Sequence, residues 1–220
     1  DQRAMLRRFC SEVLETLTGN PGMYFSSLAF VSNHSGHKEI YSCDFDGSNV
    51  NQITKNNSIT AFPSWSSDGR YLAYTSFING PSRIFIRDLG NGLEKQVTFK
   101  GVQIAPMWVP GRFEIAATLS MAGDQEIYLL TGAGKMIKRL TNSRGIDVEG
   151  TWSPDGKKLA FVSNRAGTPQ IYIKDVENGK VRRLTFEGQY NTQPNWSPKG
   201  DRIAYTAMVG GQINIFTIDI

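Results

Sequence analysis

Short apolar runs recur along this chain at a fixed interval. Segments of the Leu-Ala-Phe type begin at positions 28, 72, 115, 159 and 203, 43 or 44 residues apart. About ten residues after each comes a second run: EIYSCDF (39–45), RIFIRDL (83–89), EIYLLT (126–131), QIYIKDV (170–176) and INIFTID (213–219). A turn-forming stretch follows, then a third run: QIT (52–54), QVT (96–98), RLT (139–141) and RLT (183–185). Brief β-branched and aromatic runs bounded by Gly, Pro, Asn and Asp predict strands joined by turns.

The four tryptophans keep the same interval, with Trp65, Trp108, Trp152 and Trp196 spaced 43, 44 and 44 residues apart. Each opens a common phrase: PSWSSDGRYLAY (63–74), PMWVPGRFEIAA (106–117), GTWSPDGKKLAF (150–161) and PNWSPKGDRIAY (194–205). Asp68-Gly69 and Asp155-Gly156 lie between apolar runs, as tight hairpins require. One unit is therefore four antiparallel strands, A to D, in about 44 residues, the size of a propeller blade. The predicted fold is an all-β propeller, and the tryptophans are its blade-packing anchors.

The chain reads BCD, three times ABCD, then ABC. A blade without A lacks an inner strand and one without D lacks an outer strand, so both leave backbone groups unpaired. The expectation is a six-bladed ring when complete, about five blades of it here, with about 65 further residues closing it. A five-bladed ring with two ragged blades is the alternative.

The first residues do not repeat. Met5, Leu6, Phe9, Cys10, Val13 and Leu17 recur at three- and four-residue intervals, predicting one face of a helix that packs on the propeller's side. Residues 18–22, TGNPG, supply its stop and a turn. We divide the chain into residues 1–27, the last helix and linker of a truncated α/β domain, and residues 28–220, the propeller. The polar opening at Asp1 reads as the inside of a longer protein.

Composition narrows the function. Hydrophobic residues are 40% and charged residues 20% of the 220, which excludes disordered, collagen-like and coiled-coil classes. No run of eighteen apolar residues occurs, so no membrane span is expected. The net charge of +4 is dispersed, with runs no longer than pairs such as Arg7-Arg8, which argues against a nucleic-acid partner. Two cysteines, Cys10 and Cys43, read as small buried thiols, although a bridge stays open.

Catalytic signatures are not found. No G-x-S-x-G elbow or Gly-rich phosphate loop is present, so no catalytic residue and no cofactor is assigned. His34 and His37 have a spacing that could hold a metal but lack further ligands, and no metal site is assigned. Asp44-x-Asp46-Gly47-x-Asn49 resembles a calcium loop, yet it falls where every blade turns from C to D, and turn chemistry explains it.

Strand alternation puts the varied B–C loops and the D–A crossings on one face, the arrangement of a scaffold with one recognition side. Five residues before each tryptophan stand Thr60, Gln103, Asp147 and Asn191; three before stand Phe62, Ala105, Glu149 and Gln193. One reading is a polar funnel that accepts a partner's loop or peptide. The plainer reading is that these residues cap strand ends and hydrogen-bond one another.

The W-S-P-D-G-x-x-L/I-A-F/Y phrase, with I-Y-x-x-D and R-L-T, resembles the repeat of the TolB propeller family. The junction LTGNPGMYFSSLAFVSN (17–33) is similar to the place where that family's small N-terminal α/β domain runs into its first blade. The resemblance covers nearly the whole chain. Val109-Pro110-Gly111, Lys199 and Gly150 depart from the phrase. It implies a non-enzymatic periplasmic interaction scaffold of the Tol-Pal envelope system, a monomer. It also implies binding of the peptidoglycan-associated lipoprotein, Pal, at the channel mouth. The family's contact segment carries over to Gln103, Ile104, Asp147, Val148 and Glu149, with Thr60, Phe62, Asn191 and Gln193 as counterparts. Other Tol proteins would be met through an N-terminal segment outside these residues. The competing readings are a substrate-gating propeller of a prolyl-oligopeptidase-like serine peptidase, and a sugar- or metal-binding propeller.

Overall fold

A computed structural model describes residues 2–20 and 22–220. Asp1, the expected start of the first segment, and Pro21, within the expected turn, lie outside the described residues. The chain divides into two compact units, residues 1–60 and 61–220.

The first unit holds helix α1 (Gln2–Thr18) and the strands β1 (Ser27–Ser32), β2 (Glu39–Asp44) and β3 (Asn51–Gln52), in one antiparallel sheet of order β1-β2-β3. The helix turns toward this sheet the stripe of Arg7, Cys10, Ser11 and Leu14, all at least half-buried. Arg7 seats its guanidinium in the turn after β2, with Nη1 2.6 Å from Asp44 and Nη2 3.1 Å from Asp46 and from Ser48 Oγ. That turn is the segment resembling a calcium loop, and a guanidinium occupies it. The apolar stripe differs from expectation. Met5, Leu6, Phe9, Val13 and Leu17 are exposed, because the arginine contact turns the opposite side of the helix toward the sheet. Cys43 is buried, Cys10 is half-buried, and both are free.

The second unit carries four sheets. Strands β4 (Thr60–Trp65), β5 (Tyr71–Ser76), β6 (Arg83–Asp88) and β7 (Glu94–Gln96) form one. Strands β8 (Gln103–Trp108), β9 (Glu114–Ala122), β10 (Asp124–Thr131) and β11 (Met136–Arg139) form the next. Strands β12 (Asp147–Trp152), β13 (Lys158–Ser163), β14 (Gln170–Asp175) and β15 (Val181–Arg183) form the third. The last has β16 (Asn191–Trp196), β17 (Arg202–Val209) and β18 (Gln212–Asp219). The fold is thus an all-β propeller of five blades with a single helix, in the predicted strand order.

Tryptophans wedge successive blades of this unit together. Trp108 packs with Ala73, Ile84 and Val97 of the preceding blade and Ile115 and Leu130 of its own. Trp152 repeats this with Met107, Ile127, Leu129 and Leu159, and Trp196 with Ala160, Ile171, Leu184 and Ile203. Burying apolar surface across each seam is the main force closing it. The backbone N–H of Trp108 also donates to Ser64 Oγ at 3.1 Å, and that of Trp196 to Thr151 Oγ1 at 3.4 Å. Trp65 is half-buried.

Two B–C connections are tighter than the sequence suggests. Met121 and Ala122 extend β9 instead of forming a loop, and β17 and β18 meet at Gly210-Gly211. Both glycines have positive φ, as a two-residue hairpin of this type demands.

Candidate functional site

The four inner strands of the second unit, β4, β8, β12 and β16, line an open cavity of about 380 Å³. Its wall is built from equivalent triplets, each beginning three residues before a tryptophan: Phe62-Pro63-Ser64, Ala105-Pro106-Met107, Glu149-Gly150-Thr151 and Gln193-Pro194-Asn195.

The first residue of each triplet is strained. Phe62, Ala105, Glu149 and Gln193 have φ of 55°, 51°, 45° and 53°. The other described non-glycine residues with positive φ are Asn49 and Asn57, and asparagine tolerates that region. The register slips there: between Ile104 and Met107, between Val148 and Gly150, and between Thr192 and Asn195. These are β-bulges, which bend a strand and re-aim its side chains. Proline in three of the four triplets suits a bulge, where no ladder N–H is needed. Gly150 stands where the others have proline, and a Cβ there would lie 2.6 Å from the carbonyl oxygen of Ala160. It belongs to the inner strand β12.

The bulge separates the two sets that sequence reading had placed together. Thr60, Gln103, Asp147 and Asn191, two residues before the strained positions, are all buried. Each fastens a D–A crossing. Asn56 Nδ2 donates to Thr60 Oγ1 at 3.2 Å, and Gln103 Nε2 donates to the Phe99 carbonyl at 2.5 Å. Asp147 accepts from Arg165 Nη2 at 2.7 Å and from Ser143 Oγ at 3.1 Å. Asn191 Nδ2 donates to Gln170 Oε1 at 2.8 Å and to the Glu187 carbonyl at 2.7 Å. Ile104 and Val148 are half-buried, and Val148 packs on the Trp196 cluster. Of the nine candidates, Phe62, Glu149 and Gln193 line the cavity. Sequence reading missed Pro63, Ser64, Pro106, Met107, Gly150, Thr151, Pro194 and Asn195 as wall residues; the Pro or Gly repeated two residues before each tryptophan was the available signal.

Glu149 is half-buried, and its Oε2 accepts the Gln193 backbone N–H at 3.2 Å. Burial pushes its carboxyl above the ordinary carboxylate value, against the pull of that hydrogen bond. Elsewhere in the unit this backbone position is served differently: the Ala105 N–H donates to Thr75 Oγ1 at 3.1 Å. The residue of β13 corresponding to Thr75 is Val162, which has no oxygen to offer, so the glutamate supplies the acceptor.

His34 and His37 are exposed in the loop between β1 and β2. Among the described residues no group of three or more His, Cys, Asp or Glu could hold a metal ion, and no helix is long and apolar enough to cross a membrane.

A family model described as the TolB beta propeller domain matches residues 14–220. The chain belongs to the TolB β-propeller family. The Tol-Pal system protein TolB of Desulfosudis oleivorans is 56% identical over 141 residues, which are 64% of this chain and 32% of that relative. The chain thus aligns with about a third of that protein's length. The crystal structure of TolB from Acinetobacter baumannii superposes with a TM-score of 0.84 at 34% identity, covering 96% of this chain and 54% of the other. A Mycobacterium tuberculosis puromycin-hydrolyzing peptidase superposes at 0.67 with 15% identity, over 88% of this chain and 33% of the peptidase. That likeness is one of fold alone.

Proposed function

We propose that this protein is a non-enzymatic binding scaffold of the Tol-Pal envelope system, acting in the periplasm. Its inner-strand cavity receives a loop of the peptidoglycan-associated lipoprotein. The observation that carries this reading is the strain at the cavity: Phe62, Ala105, Glu149 and Gln193 all hold left-handed backbone at equivalent positions of the inner strands. Such positions cost roughly 1–3 kcal/mol each and concentrate where ligands bind. The family membership and the name carried by the Desulfosudis relative support the system and the partner.

Titration of the chain with the soluble domain of a Pal lipoprotein, followed by calorimetry, tests this. Phe62→Ala and Gln193→Ala should each weaken binding, whereas Lys180→Ala, on an exposed turn before β15, should not. Wild-type protein that gives no binding heat, or cavity variants that bind as wild type does, would overturn the proposal.

A further inference from the structure

We propose that the cavity selects a cationic guest, with the Glu149 carboxylate receiving an ammonium or guanidinium group from a side chain of the bound partner; this rests on the binding role proposed above. Glu149 is the one ionisable residue in the cavity wall. Its counterparts Phe62, Ala105 and Gln193 adopt the same left-handed backbone, so the bulge itself does not call for a charge. The Gln193 N–H occupies only one lone pair, and glutamine would accept it equally well without the cost of desolvating an anion.

No arginine, lysine or histidine pairs with Glu149 among the described residues. The nearby charged groups are already committed: Asp147, two residues earlier on β12, is closed off by Arg165 at 2.7 Å. The wall-lining residues of β4, β8 and β16 carry no titratable group. An unpaired, half-buried carboxylate facing a cavity is the arrangement expected of a group that waits for its partner. The rest of the wall suits the remainder of such a guest. Phe62, Met107, Trp108 and Trp152 offer apolar and aromatic surface for the methylene stem of a lysine or arginine. The volume matches a single side chain or short loop tip better than a folded element.

The test uses two probes of matched shape, butylguanidinium and neutral butylurea, titrated into the chain and followed through the amide signals of Glu149, Gly150 and Gln193. At neutral pH butylguanidinium should bind about tenfold tighter than butylurea, the size expected of one charge-assisted contact. Glu149→Gln, which keeps an acceptor for the Gln193 N–H, should bring the two probes together. On wild type, where no variant needs to fold, guanidinium affinity should fall as acid protonates the carboxyl, while urea binding stays level. Equal binding of the two probes, a preference that survives Glu149→Gln, or guanidinium binding indifferent to acid would each overturn the proposal. Repeating Glu149→Gln with the Pal domain separates the two claims. Guanidinium preference without Pal binding refutes the partner and keeps the charge selection; equal Pal binding by wild type and variant refutes the charge selection and keeps the partner.

Discussion

The carboxylate of Asp147, fully buried at the head of β12, meets the guanidinium of Arg165 at 2.7 Å. Arg165 also lies over the rings of Phe161 and Tyr172, at 5.5 and 4.8 Å. The pair thus joins an inner strand to the B–C loop of the same blade. Removing one partner leaves an uncompensated buried charge, which costs about 3–5 kcal/mol. Arg165→Ala, which leaves the fully buried Asp147 carboxylate without its counter-charge, should therefore lower stability by that order in urea denaturation. A double-mutant cycle with Asp147→Ala should show coupling well above 1 kcal/mol, the level of surface pairs. A coupling near zero would mean that the two groups do not depend on each other.

Trp152 bridges two blades through Met107, Ile127 and Leu159. Trp152→Ala should cost about 3–5 kcal/mol of stability through the cavity it opens. Exchange protection of β8 and β12 amides should fall together, since the indole belongs to both sheets. Loss confined to β12 would show that it anchors its own blade alone.

The strained wall predicts a trade. Ala105→Gly removes the steric penalty at φ 51° and should raise the midpoint of thermal unfolding, by up to about 1 kcal/mol in stability. Ala105→Val, with a branched side chain in the same conformation, should lower it. If both variants melt as wild type does, the left-handed backbone stores no strain.

Acid should release the helix of the first unit. Hydrogen bonds from Arg7 and Asn49 hold the Asp44 carboxyl below its ordinary value of 3.8, and bonds from Ser48 and Arg7 lower that of Asp46 further. Because these folded-state values lie below the unfolded ones, the stabilisation is complete above about pH 4 and is lost as pH falls further. Protection of α1 amides, measured against their intrinsic exchange rates at each pH, should therefore fall below pH 4 in wild type. In Arg7→Met that protection should already be low at pH 7 and change less with acid.

The blade order was legible in the sequence because tryptophan, the Asp-Gly turn and the R-L-T run each recur at one interval, and each records a distinct constraint. Trp108, Trp152 and Trp196 fill seams, and Asp68 and Asp155 shape turns. The site was legible only in part. Period-two reasoning puts Asp147 and Glu149 on one face of a regular strand, and a bulge between them breaks that rule. One residue therefore turns into the crossing and the other lines the cavity. The helix misled for a different reason. Met5, Phe9 and Leu17 form a proper apolar stripe, but Arg7 found two carboxylates on the other side, and no pattern of hydrophobic residues reveals a long-range ion pair.

Ser64 and Thr151 tie their inner strands to the next by accepting a tryptophan N–H. The residue in that place on β8 is Met107, whose thioether offers the Trp152 N–H no hydroxyl. Pulled apart mechanically, the second unit should therefore part first between β8 and β12, where side-chain packing carries the tension without that tie.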